Sequence, residues 1–361
     1  MPRVQPNPDS SGKVVLPLQL SLNSLKSSSA EPEPAQSLSR TGTMNASRSA
    51  CCASLAFLLL LAPSVQAARA SKLTLLLPGA PAILDKIYSF DLDGAVQAAK
   101  HMQQEQPDHP LGYLLETEAL WWRIWCTSAE FKFGMSDARR RAKVPEDRHY
   151  FDLAAKALSL AEAQLKQRES AEMHFYAGMA DASLARLYGL RGESRNAART
   201  GVRGREHFLH AKALDPDLAD ADLGLGLYNY YVDTLSSMAR VLRFFMGIPG
   251  GSKQEGVRLL EQAIAQGVLT SNVARFYLAL NLHRYDQQYQ KALDILGPLV
   301  EKYPTNPFFQ LARGDLDAKL GRKRQALEAY HAAAALPVQN AECHARIQQL
   351  VRASEAALGP P

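Results

Sequence analysis

Cysteine is scarce in this chain: four in 361 residues. Cys51 and Cys52 precede an apolar run near the front, so only Cys126 and Cys343 remain in the rest of the sequence, far apart. An exported protein could pair them, but two cysteines are no disulfide framework, and the expectation is a pair of free thiols. The chain also lacks a Cys-x-x-Cys pair, a glycine-rich phosphate loop and a nucleophile elbow, which removes the usual sequence grounds for a zinc site, a nucleotide site or a serine hydrolase. Almost no segment alternates with period two, so sheet-based folds are excluded. No apolar run reaches the roughly twenty residues that a membrane span needs.

What is present begins with MNASRSACCASLAFLLLLAPSVQAARA from Met44. It has one arginine, an apolar block of about ten residues, Pro63, and small residues at Ala67 and Ala70. That is the order of a secretory signal peptide over 44–70, cleaved after Ala67 or Ala70. A short buried helix is the plainer alternative, but it would not need this flanking order. Residues 1–43 hold nine serines, six prolines and no aromatic residue. Such a stretch cannot bury enough surface to offset its ordering entropy, so it reads as disordered or as sequence upstream of a start at Met44. The expected location is exported: periplasm or cell envelope in a bacterium, otherwise secreted. Residues 1–70 carry six basic and three acidic residues, so the overall 41 against 36 falls to 35 against 33. No strong positive field is left, and nucleic acid is not an expected partner.

The remainder repeats. YQKALDILGPLVEKYP and RQALEAYHAAAALP place Ala292 and Ala326 at the same position, 34 residues apart, each followed by an apolar or aromatic residue four later and a small or apolar one three further on. The same offsets occur at Ala95-Ala99-Met102, Gly204-Phe208-Ala211 and Gly256-Leu260-Ala263. A small residue lets two helices approach, and the next two stay on the same face. Proline then ends each helix, as at Pro107, Pro216, Pro304 and Pro337. First-helix counterparts appear at Leu225-Gly226, Phe276/Ala279 and Gly314. These residues resemble the tetratricopeptide repeat (TPR) family across most of 75–336. The resemblance implies an all-α solenoid of helix pairs over 71–338, with a concave groove lined by first helices and a capping helix and tail over 339–361.

Two stretches depart from the period. Between helices at 111–125 and 148–166 lies a polar insertion, about 126–147, whose Arg139, Arg140, Arg141 and Lys143 read as a solvated loop. The other insertion, 233–250, puts Leu235, Met238, Val241, Leu242, Phe245 and Met246 on one helical face, with Arg240 and Arg243 off it. Such a helix packs on its own solenoid, docks into a partner (Met238, Leu242, Phe245, Arg240 and Arg243 then making the contact), or lies at a membrane surface. Residues 223–330 are also similar to a tetratricopeptide subfamily that includes the yeast inclusion-body clearance protein. The carrying features are Gly224 to Asn229, the 235–246 helix, Gly247 to Gly251 and Gly256-Val257. That family is intracellular, so its cellular role does not transfer to a chain with an export signal.

Other clusters have bland explanations. His207 and His210 could hold a metal, yet Phe208 between them is a repeat core position and no third ligand lies nearby in sequence; no metal or cofactor is expected. Asp215, Asp217, Asp220 and Asp222 suit helix capping. Arg191, Arg195, Arg199 and Arg203 form a stripe expected to face solvent. Trp121 and Trp125 are expected in the core, with Trp122 exposed. The groove residues are Tyr230, Tyr231, Tyr277, Asn281, Arg284, Tyr285, Phe308, Leu311 and Lys319, a tyrosine-rich set suited to a peptide. The expected function is therefore a non-catalytic scaffold binding a protein or peptide in its groove. A membrane-peripheral adaptor using the 235–246 helix is the alternative.

Overall fold

The computed structural model describes residue 77, residues 79–235, residue 243 and residues 247–359. The signal segment, residues 1–43, and Met238, Arg240, Leu242 and Phe245 lie outside the described residues. Thirteen α-helices occur among the described residues. They are α1 (Ala80–Tyr88), α2 (Leu92–Glu105), α3 (Pro110–Ser128), α4 (Glu146–Leu165), α5 (Ala171–Arg191), α6 (Ser194–Leu214), α7 (Ala221–Asp233), α8 (Lys253–Gln266), α9 (Ser271–Asn281), α10 (Tyr289–Lys302), α11 (Pro307–Lys319), α12 (Lys323–Ala335) and α13 (Ala341–Leu358). Each packs on the next, which gives an all-α array of consecutive helix pairs. A π-turn, Leu282–Asp286, continues α9.

The repeat offsets mark the contacts that were expected of them. All fifteen positions from Ala95 to Ala333 are buried. Gly256 shows why the first position must be small: a Cβ there would lie 2.7 Å from the Tyr230 amide nitrogen and 2.8 Å from the Gly226 carbonyl. The backbones of α7 and α8 therefore touch. Phe208 and Tyr330 fill the next positions and lie against Gly178 and Gly224, and against Gly314, respectively. Local signals start the helices. Asp91, Ser252, Asn306 and Asn340 each accept an amide hydrogen from the first turn of α2, α8, α11 and α13. Asp220 acts at longer range, accepting from Leu269 N (2.8 Å) and Thr270 N (2.9 Å) at the start of α9. It thereby caps the next pair instead of its own helix.

The array curls back on itself, which an open groove does not require. Asp85 of α1 accepts from Lys302, the last residue of α10, and from Tyr303 just after it, and Asn306 donates to the Tyr88 carbonyl at 2.9 Å. Trp122 of α3, 2 % exposed, packs against Phe276 (5.1 Å between ring centroids) and Phe309 (5.7 Å). The expected exposure of Trp122 is thus corrected: all three tryptophans are buried, because α3 is the helix on which the late repeats close. The expectation of free thiols is also corrected. Cys126 at the end of α3 and Cys343 at the start of α13 are disulfide-bonded, with Cα atoms 5.4 Å apart.

Residues 129–138 of the 126–147 insertion form a hairpin, and the charged run at 139–143 follows it as a loop with Arg141 and Lys143 exposed. Strands β1 (Ala129–Lys132) and β2 (Met135–Ala138) pair antiparallel. Their two-residue turn, Phe133-Gly134, has φ of 59° and 72°, the left-handed pair that a type I′ turn needs. The hairpin is pinned from inside: Ser136 N donates to Asp315 Oδ2 of α11 at 2.6 Å, and Tyr330 OH to Oδ1 at 2.9 Å. Burial pushes Asp315 up to about 7 against those two bonds. A raised carboxyl keeps its proton in the folded state while the unfolded chain has lost it. Its contribution to stability is therefore full below the ordinary carboxylate range and is lost as pH rises toward 7. We expect Asp315→Asn, neutral throughout, to gain on the wild type between pH 5 and 7 by up to roughly 1.4 kcal/mol per pH unit. Denaturation curves at pH 5, 6, 7 and 8 measure this, and a constant difference would show that Asp315 does not titrate there.

Candidate functional site

Inside the curl lies a cavity of about 830 Å³. Its walls come from α1, α3, α5, α6, α7, α9 and β2. Leu84, Leu114, Met179, Leu190, Leu227 and Leu280 make much of it apolar. Along α5 the lining residues Phe175, Met179, Ala182, Arg186 and Leu190 recur at helical spacing, so one turn of that stripe is charged. Concave, largely apolar sites with a few convergent polar groups are what ligand sites usually look like.

Arg186 is the centre of the polar part. It donates to Glu118 Oε2 at 2.8 Å and to the Tyr150 hydroxyl at 3.0 Å, and reaches the Tyr277 hydroxyl at 3.4 Å. Its guanidinium lies 4.2 Å from the centre of the Trp121 ring. Burial works against this charge, but Glu118, Tyr150 and Tyr277 outweigh it and hold Arg186 well above its usual range. Glu118 Oε1 is buried without a hydrogen bond inside the protein. Burial raises Tyr277 and Tyr231, so both stay neutral and offer aromatic faces and hydroxyls. A second polar edge is formed by Arg284, ion-paired with Asp137 of the hairpin, beside Asn281 and Tyr285.

The expected groove residues divide. Tyr231, Tyr277, Asn281, Arg284 and Tyr285 line the cavity. Tyr230 does not: it is fully buried, with its hydroxyl 2.7 Å from Asp286 Oδ2 and 3.1 Å from the Asn281 carbonyl. Phe308 (2 % exposed) and Leu311 (0 %) are core residues, since α11 turns its inner face onto α3 when the array closes. Lys319 is exposed and runs past Gly134 at the hairpin tip. Arg243, a contact residue only in the partner and membrane readings of its helix, lines the cavity beside Ile248. Sequence reasoning missed Arg186, Glu118 and Asp137. Arg186 had a signal, the single charge in an otherwise apolar α5 stripe. Asp137 had none, because its place depends on where the hairpin folds.

The arginine stripe divides. Arg195, Arg199 and Arg203 of α6 are exposed, Arg203 also pairing with Asp181, whereas Arg191 ends α5 and is buried against Asp147. The histidine pair gains company. His174 of α5 stacks on His210 at 5.0 Å and its Nδ1 lies 2.9 Å from His207 Nδ1. Burial, then the neighbouring His174, Arg203 and His210, lower His207 to about 4.

No family model matches the chain, and no curated protein matches it in sequence. Among solved structures, yeast Tom70 aligns over 75 % of this chain and 87 % of its own, at 10 % identity and a TM-score of 0.27. No helix among the described residues is long and apolar enough to cross a membrane.

Proposed function

We propose that the protein is an exported, tetratricopeptide-like binding module that takes a protein or peptide segment into its interior cavity and does no chemistry on it. The observation that carries this reading is the cavity itself: about 830 Å³, with apolar walls and polar groups at Arg186, Glu118, Asn281 and Arg284. A short run of apolar side chains suits the walls. Tyrosine hydroxyls, Asn281 and the arginines suit the carbonyls and carboxylates of a peptide backbone. The disulfide supports export, since such bonds persist in oxidising compartments. The offsets that bring Gly256 against α7 and Phe208 against Gly178 support the repeat assignment.

The test is to fill the cavity from a wall that tolerates it. Ala198 of α6 lines the cavity and is half-buried. Peptides selected from a random displayed library on the wild type should bind Ala198→Trp at least about tenfold more weakly, roughly 1.4 kcal/mol, with helicity unchanged. Equal binding by the two proteins, or no enrichment on the wild type, would count against the interior site.

A further inference from the structure

We propose that Glu169, His174 and His210 form a binding site for a divalent first-row transition metal, zinc foremost, with His207 orienting His174. The potential ligand atoms of these three residues lie within 4.8 Å of one another. They come from three places that sequence separates: the turn before α5, the first turn of α5, and the last half of α6. His174 Nε2 and Glu169 Oε1 are 2.6 Å apart. Ligands on a tetrahedral zinc with bonds of about 2.0–2.1 Å sit roughly 3.3 Å from each other, so a metal could enter between this pair with little movement. The third ligand must come in by at most roughly 1.5 Å (4.8 Å less about 3.3 Å), and it is on the exposed side chain of His210, which can turn without disturbing the core. Two imidazoles and one carboxylate leave coordination positions open, the composition of sites that bind zinc or iron(II) with water completing the shell.

His207 supplies what a ligating histidine normally has, a partner on its other ring nitrogen. Its Nδ1 faces His174 Nδ1 at 2.9 Å. One proton must sit between them. With Nε2–H of His174 facing Glu169, that proton starts on His207 Nδ1; when the metal takes Nε2, the Nε2 proton leaves to solvent, the shared proton passes to His174 Nδ1, and His207 takes one proton from solvent on Nε2, so the number of protons is unchanged. His174 is itself held in place, 8 % exposed, so the site is built around a fixed imidazole. The same four residues would make a plain hydrogen-bonded cluster without a metal. Stoichiometric binding of an ion distinguishes the two, because the hydrogen-bonded cluster alone predicts none.

The experiment uses full-length, tag-free protein, equilibrium dialysis against zinc(II) and absorption spectra with cobalt(II). We expect one equivalent of zinc per chain. Glu169→Gln combined with His210→Ala, both exposed positions, should weaken that binding at least 100-fold with the circular dichroism spectrum unchanged. His207→Asn should weaken it about 10–100-fold while keeping the stoichiometry. His101→Ala removes a surface His–Glu pair of ordinary i, i+4 kind, 3.3 Å apart, and should change nothing. Absence of a tight equivalent in the wild type overturns the proposal. So does an equivalent that survives in the double variant, or one lost in His101→Ala.

Discussion

Cys343→Ser is expected to lower the unfolding free energy by about 3–5 kcal/mol and the melting temperature by roughly 10 °C. The bond spans 217 residues, nearly the whole described array. In the chain-entropy account, a loop of that length places the effect at the top of the usual range, because the reduced unfolded chain regains the most freedom. Two features could reduce it. The early and late repeats also meet through Trp122, Phe276 and Phe309, and these contacts survive in the variant. In addition, α13 could open alone, leaving the remaining helices folded. Hydrogen exchange separates the cases. A global effect speeds exchange everywhere, whereas local opening speeds it in α13 and β1, which pack on each other. Both sulfurs belong to residues no more than 3 % exposed. Reductant should therefore act slowly on the folded protein, and the variant is the cleaner comparison. A melting temperature within about 1 °C of the wild type would mean that the aromatic contacts alone close the array.

The pattern of small and apolar residues revealed which face of each helix is buried. It could not reveal what that face is buried against. Ala95, Gly204, Gly256, Ala292 and Ala326 are local signals, and each sits where its spacing implied. Tyr277 and Asn281 line the cavity. Phe308 and Leu311 occupy the same inner face two helices later and became core, because α3 fills the interior there. That filling depends on contacts such as Asp85 with Tyr303, 218 residues apart, which no period of 34 encodes. Arg191 failed for a related reason. A four-residue recurrence of arginine looks like a solvated stripe until Asp147 is known to lie opposite. His174 is the same lesson at the candidate metal site: His207 and His210 were visible as a pair, while their third partner came from the neighbouring helix.

Arg191→Met should destabilise the protein by about 3–5 kcal/mol, the cost of leaving a buried carboxylate without its partner. The Arg191 side chain is 1 % exposed. It makes a bidentate contact with Asp147, Nε to Oδ2 at 2.8 Å and Nη2 to Oδ1 at 2.7 Å. Its remaining nitrogen donates to the Arg140 carbonyl at 2.8 Å and to Ser128 Oγ at 3.2 Å. One guanidinium thus joins the end of α5, the first turn of α4 and the base of the hairpin. Methionine matches the stem in volume and lacks all of these donors, so the loss is electrostatic and not a cavity effect. The double variant Arg191→Met with Asp147→Leu removes both charges and should recover most of the loss, since a well-packed apolar pair often replaces a buried ion pair at little cost. What it should not recover is the hydrogen bond to Arg140. The hairpin base would then be looser in both variants, and Asp137, which holds Arg284 at the cavity wall, is on that hairpin. Urea denaturation of the two single variants and the double variant gives the coupling energy, and peptide binding by the double variant reports the hairpin. A loss below about 1 kcal/mol in Arg191→Met would mean that water reaches Asp147 and that the pair is not a buried one. Full stability with weakened binding in the double variant would show that this arginine acts on the cavity through the hairpin.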